Sequence, residues 1–209
     1  SRVRNTFLLE GLSLFLAGCL PSMIDNVAKV SGMPFGPLSL ADRLSLELVL
    51  KYEKQAAELY GPKYIQHPAV NVIEQMLEMG RKGGKTELGF YEMNDNKDLR
   101  LWTGLKEYFK PDLAFDPIDI EERLMIAQVI EVLWCLQEKV ISSVEEANLG
   151  SIYGWGFPAF KGGAVQYIND FGKDAFVDRC RELEERYGPR FSIPSILYKL
   201  QLEKVEKVD

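Results

Sequence analysis

The chain is predicted to be all-α, made of two divergent copies of one helical unit related by an approximate two-fold axis. Three observations lead there. Apolar residues recur at helical spacing in one segment after another, and glycine and proline fall where they end helices instead of turning strands. The order of stripe, cap and Gly/Pro loop then occurs twice along the chain.

Leu8, Leu9, Leu12, Phe15 and Leu16 stand at i, i+1, i+4, i+7 and i+8, one stripe of an amphipathic first helix. Beyond Pro21, Ser22-Met23-Ile24-Asp25 offers a capping-box-like start for a second helix. Ser22 would bond an orphan amide there, and Asp25 would sit near the positive end of the dipole. That helix would run to about Val30 and stop at Gly32. The run Gly32-Met33-Pro34-Phe35-Gly36-Pro37 forbids regular structure and specifies a sharply turned loop.

A helix is expected from Ser39 to about Tyr60, burying Leu44, Leu48 and Leu59 and ended by Gly61-Pro62. Another is expected over Pro68 to Met79, followed by a basic turn, Arg81-Lys82-Gly83-Gly84-Lys85. Leu88 to Tyr91 reads as a short extended piece with no partner strand nearby. Asn94 to Pro117 carries two prolines and little periodicity and reads as a connector, which places a domain boundary near residue 112.

Past that boundary the pattern returns. Val129, Ile130, Leu133 and Leu136 take the places of Leu8, Leu9, Leu12 and Phe15, and Glu131 that of Glu10. Ser143 and Glu146 stand for Ser22 and Asp25, and the Gly/Pro loop recurs as Gly154 to Gly163. Ala164 to Asn169 and Lys173 to Tyr187 complete the second copy, stopped by Gly188-Pro189. The expected domains are residues 1–112 and 113–209.

Composition narrows the function classes. With 46% hydrophobic and 27% charged residues a packed core is expected, and no apolar run reaches the roughly 20 residues of a membrane helix. A net charge of −6 argues against tracking a nucleic-acid backbone, which needs a basic face. Cys19, Cys135 and Cys180 are scattered and odd in number, which suggests reduced thiols in a cytoplasmic protein and no zinc site. A single histidine, His67, leaves few metal sites and makes any His-dependent catalysis hinge on one residue at a loop-to-helix junction.

Gly154-Trp155-Gly156-Phe157-Pro158-Ala159 fits the letters of a dinucleotide-binding turn, yet a capped helix precedes it where a strand is required and Pro158 removes a donor. It is expected to be an inter-helix loop. Arg81, Lys82 and Lys85 around Gly83-Gly84 suit a phosphate, although a solvated turn is the commoner meaning. Trp102, Trp134, Tyr153 and Trp155 are expected in core or interface.

The run Val140 to Asp170, with Asn148-Leu149-Gly150-Ser151-Ile152-Tyr153-Gly154-Trp155-Gly156-Phe157-Pro158-Ala159-Phe160-Lys161-Gly162-Gly163 at its heart, closely resembles the second C-terminal repeat of L-3-hydroxyacyl-CoA dehydrogenases. The likeness is greatest to the multifunctional fatty-acid oxidation enzymes of the alpha-subunit type. Phe7 to Gly11, Gly32 to Leu38, Gly80 to Gly84 and Leu88 to Tyr91 resemble the first repeat, so nearly the whole chain is covered.

The resemblance implies helical repeats of the 6-phosphogluconate-dehydrogenase C-terminal-like type. It implies hydride transfer from an acyl-CoA substrate to NAD, with the cofactor and a catalytic His-Glu pair carried by an N-terminal Rossmann domain absent from this chain. Further partners implied are an enoyl-CoA hydratase module in the same polypeptide and a thiolase subunit. No residue here would be catalytic, no cofactor or metal is expected on the chain, and the chain alone would be inactive. The family opens its first repeat with Asn-Arg, the Asn near the reacting carbon; here Ser1-Arg2 stands there, and serine has the shorter reach. Substrate contacts are thereby expected at Ser1, Arg2, Asn5, Pro34 and Phe35. Two other readings stay open: a helical acyl-CoA hydrolase or lyase using His67 and a carboxylate, and a free-standing helical scaffold without catalysis.

Overall fold

The computed structural model describes residues 2–111 and 113–202. The expected boundary falls on Asp112, outside the described residues. By its contacts the chain groups into two compact units: a first of Leu8–Val30 and Phe35–Glu121, and a second of Ser1–Phe7, Ser31–Pro34 and Glu122–Asp209.

Helix α1 (Arg2–Leu16) runs through Phe7 in the second unit and onward in the first. Its stripe forms as expected, with Leu8, Leu12 and Phe15 fully buried, but Leu16 at the last turn is 41% exposed. In the first unit follow α2 (Pro21–Val30), α3 (Pro37–Leu44), α4 (Leu46–Tyr60) and α5 (Val70–Glu78). A Cβ on Gly11 would overlap Pro37, so glycine lets α1 and the start of α3 touch backbone to ring.

The single helix expected from Ser39 to Tyr60 is in fact two. Ser45 takes φ 77°, and the amide of Leu46 donates to Lys82 O at 2.8 Å instead of continuing the helical ladder. The break re-phases the buried face: Leu46, Val49 and Glu53 turn inward, Leu44 and Leu48 are half-buried, and Leu59 is 78% exposed.

The supposed connector holds structure of its own. Strand β1 (Tyr91–Met93) pairs antiparallel with β2 (Leu99–Leu101) in the register Tyr91 to Leu101, Glu92 to Arg100 and Met93 to Leu99. Asn94 makes the turn, its Oδ1 accepting from the amides of Asn96 and Asp98 at 3.0 and 2.8 Å. A short helix, α6 (Gly104–Tyr108), follows. Arg81, expected in a solvated turn, is buried: its Nε donates to Gly89 O at 2.7 Å, Nη2 reaches Glu92, and the guanidinium lies 4.0 Å from the Trp102 ring centre. It is the peg on which the hairpin hangs.

The second unit is built on α7 (Pro117–Gln137, from Glu122 on), α8 (Val144–Trp155), α9 (Gln166–Phe171) and α10 (Lys173–Tyr187). Val129, Ile130, Leu133 and Leu136 are all buried, so the repeated stripe faces a core as the first one does. Ser143 caps α8 as expected, its Oγ accepting from Glu146 N at 3.1 Å while Glu146 Oε2 accepts from Ser142 N. Buried Arg123 packs 3.7 Å from the centre of the Tyr187 ring, joining α7 to α10. The three cysteines are buried free thiols, and no described helix is long and apolar enough to cross a membrane.

Candidate functional site

The two Gly/Pro loops, so similar in sequence, pack reciprocally. A Cβ on Gly32 would come within 2.6 Å of Phe160 and 3.0 Å of Pro158, and one on Gly156 within 2.6 Å of Pro34 Cγ. Both glycines have positive φ, 96° and 79°. The sequence therefore needs glycine there twice over, for backbone geometry and for close approach. All these residues belong to the second unit.

Beside each of the two loops a side chain also reaches across to hold the next helix. In the first, Asp25 does not serve its own helix as expected. It is 1% exposed, and its two oxygens accept from the amides of Leu38 (2.9 Å) and Ser39 (3.0 Å) at the start of α3. Tyr91 Oη donates to the same carboxylate at 2.8 Å. In the second, Asn148 Oδ1 accepts from Val165 and Gln166 at 2.8 and 3.0 Å, ahead of α9, and Ser151 Oγ accepts from Ala164 N. A middle residue of one helix thus plays the part of N-cap for the next, satisfying amides that a helix start leaves without intrahelical partners.

Burial pushes the Asp25 carboxyl above the ordinary carboxylate range, against the pull of the Leu38 and Ser39 amides and the Tyr91 hydroxyl. Asp42, which accepts from the amides of Phe90 and Tyr91, is likewise pushed up by burial, to about 6. A folded-state pKa above the unfolded one favours the fold fully below about pH 4 and loses that advantage as pH rises through about 6. Between those values Asp42 should lower stability by on the order of 3 kcal/mol. Urea unfolding at several pH values should show a shallower decline in Asp42→Asn than in the unaltered chain, and equal slopes would refute the assignment.

Of the expected substrate contacts, Ser1 lies outside the described residues. Arg2 and Asn5 share the first turn of α1, in the second unit. Arg2 is engaged by two carboxylates, one in α7 and one just past its end: Nε by Glu131, and Nη1 and Nη2 by Glu138 at 2.5 and 3.3 Å. Burial raises the Glu131 carboxyl, with Arg2 opposing the shift. Asn5 is half-buried. Pro34 packs at Gly156 in the second unit, whereas Phe35 belongs to the first, half-buried, with the Arg43 guanidinium 4.2 Å from its ring centre.

His67 is less incidental than its place in the sequence suggests. Its Nδ1 accepts from Ala69 N at 3.2 Å near the start of α5. Nε2 points at Glu10 Oε2, 3.6 Å away, and Glu10 is 1% exposed. The pair ties α1 to the loop before α5 inside the first unit's core. No signal short of the fold links residue 10 to residue 67.

Gly154-Trp155-Gly156 closes helix α8, with Gly156 as its left-handed C-cap, and Trp155 Nε1 donates to buried Gln128 Oε1 at 3.0 Å. A dinucleotide turn opens a helix behind a parallel strand, and the described strands form only an antiparallel hairpin. The residues present therefore do not fit NAD.

Residues 1–93 match the family described as 3-hydroxyacyl-CoA dehydrogenase, C-terminal domain. The chain is 28% identical over 195 residues to the fatty acid oxidation complex subunit alpha of Vibrio vulnificus, covering 92% of this chain and 27% of that protein. The corresponding subunit of Idiomarina loihiensis is 27% identical over 208 residues, covering 97% and 28%. The chain thus spans little more than a quarter of the curated relatives it matches. In fold it is similar to the dehydrogenase part of multifunctional enzyme 1 from C. elegans, with TM-score 0.71 and 21% identity over 95% of this chain and 46% of that one. It is also similar to 3-hydroxybutyryl-CoA dehydrogenase from Escherichia coli, with TM-score 0.66 and 14% identity over 95% and 58%.

Proposed function

We propose that this chain, whose residues 1–93 match the C-terminal domain of 3-hydroxyacyl-CoA dehydrogenases, is the substrate-covering and assembly portion of an NAD-dependent L-3-hydroxyacyl-CoA dehydrogenase of fatty-acid β-oxidation. The observation that carries this reading is the coverage: almost all of this chain matches about a quarter of each relative. In this reading the nucleotide-binding domain, an enoyl-CoA hydratase module and a thiolase subunit supply the other activities, in the cytoplasm.

Chemistry on this chain is then positioning. Substrate contacts are proposed on the second unit at Ser1, Asn5 and Pro34, where Arg2, held by Glu131 and Glu138, fixes the first turn of α1 on which Asn5 stands, and separately at Phe35 of the first unit. Aligning two reactants is worth several kcal/mol, so a covering domain without a catalytic group still changes the rate by orders of magnitude.

Residues 1–209 alone should show no NAD-dependent reduction of acetoacetyl-CoA. Fused to a nucleotide-binding domain of the family, they should raise that domain's turnover by about 100-fold or more. Turnover by the chain alone near the rate of the fusion would overturn the proposal.

A further inference from the structure

The basic turn after α5 borders a cavity of about 580 Å³ in the first unit, lined among others by Arg43, Ser45, Glu47, Lys82, Gly84 and Lys85. We propose that this cavity binds a phosphate group. Three cationic side chains line it against one carboxylate, on a chain whose overall charge is −6. Lys82 is held in place by Glu47 at 2.7 Å, whereas Arg81 next to it is spent inside the fold.

The cavity wall is backbone. Gly83 and Gly84 have φ of 66° and 59°; a Cβ on Gly83 would sit 2.8 Å from Asp42 Cα and O, and one on Gly84 3.0 Å from Ser45 Cβ. The turn is therefore pressed onto the α3–α4 junction, the same junction that Ser45 breaks. Glu47 stands in the first turn of α4, and Gly84 and Lys85 open a short 3-10 turn, so their amides have no acceptor within their own helix. Cations and such amides around one cavity suit a tetrahedral oxyanion, which takes charge-assisted bonds from both.

On the reading given above, the ligand is the phosphorylated end of an acyl-CoA; the site itself requires only a phosphate. Titration calorimetry on the full chain with CoA, dephospho-CoA, adenosine 3′,5′-bisphosphate and inorganic phosphate tests both. Lys82 and Lys85 are exposed, so Lys82→Ala/Lys85→Ala should keep the melting temperature while weakening binding about tenfold or more. Glu47→Gln should tighten binding about threefold by removing the competing charge.

Preference for CoA over dephospho-CoA, lost in the double variant, identifies the 3′-phosphate of CoA as the ligand. Equal binding of inorganic phosphate, also lost in the double variant, supports the site and counts against its use by acyl-CoA. CoA binding that the double variant leaves unchanged overturns the site while leaving the proposed function standing. Absence of binding by every phosphate probe overturns the site as well.

Discussion

Replacing Asp25 with alanine should cost the chain about 3 to 5 kcal/mol of stability, among the largest effects of any single truncation. The carboxylate is 1% exposed and accepts from two amides and a phenol, Leu38, Ser39 and Tyr91. Removing it leaves three donors without their acceptor, one buried and two part-buried, each costing about 1 to 3 kcal/mol according to how far water reaches it. Asp25→Asn should fall between, since its oxygen serves one amide while its NH2 confronts the other. Beside the second loop Asn148→Ala removes the acceptor of Val165 and Gln166 from a half-buried site and should cost about 1 to 2 kcal/mol. Urea unfolding of the three variants measures this series, and a loss below 1 kcal/mol in Asp25→Ala would show that the clamp does not hold α3.

The second large effect separates two glycines that stand two residues apart. Gly156→Val should destabilise by about 3 kcal/mol or more, because a β-branched residue is placed at φ 79° and its Cβ is driven against Pro34. Gly32→Val should behave alike, at φ 96° and against Phe160. Gly154 lies inside α8 with no atom within 4 Å of where a Cβ would stand, so Gly154→Ala should stabilise by up to about 1 kcal/mol. Opposite shifts in melting temperature are the expected result. Shifts of the same sign at Gly154 and Gly156 would mean that neither loop geometry nor loop contact matters.

Much of the fold can be read from the chain, because helices with strong stripes and glycine stops are specified locally. The bounds of α2, the Ser143 cap and the stop at Gly188 all follow from residues within a few positions of one another. What escapes reading depends on distant partners. Ser45 sits among good helix formers, and only the carbonyl of Lys82 shows why the helix breaks there. Arg81 looks like any surface cation until the hairpin it anchors is seen, and that hairpin hides in a segment with neither alternation nor a two-residue turn.

The expected site divides in the same way. Arg2 is recognisable as part of a motif, but its partners Glu131 and Glu138 lie more than a hundred residues away. Asp25 is visible as a capping residue; that it caps the helix after its own is a matter of how tightly the Gly/Pro loop folds back.

The make-up of the second unit bears on how the protein is born. A ribosome delivers residues in order, and the first unit has all its segments once Glu121 has emerged. Residues 1–7 and 31–34 are made before the partners, from Glu122 on, with which they group. The beginning of α1 and the Gly32 loop must therefore wait through the translation of Glu122 onward, with apolar Val3, Phe7 and Met33 lacking their final cover. Contacts that span so much sequence close slowly, so the second unit should become native only after the stretch from Glu122 on has been made.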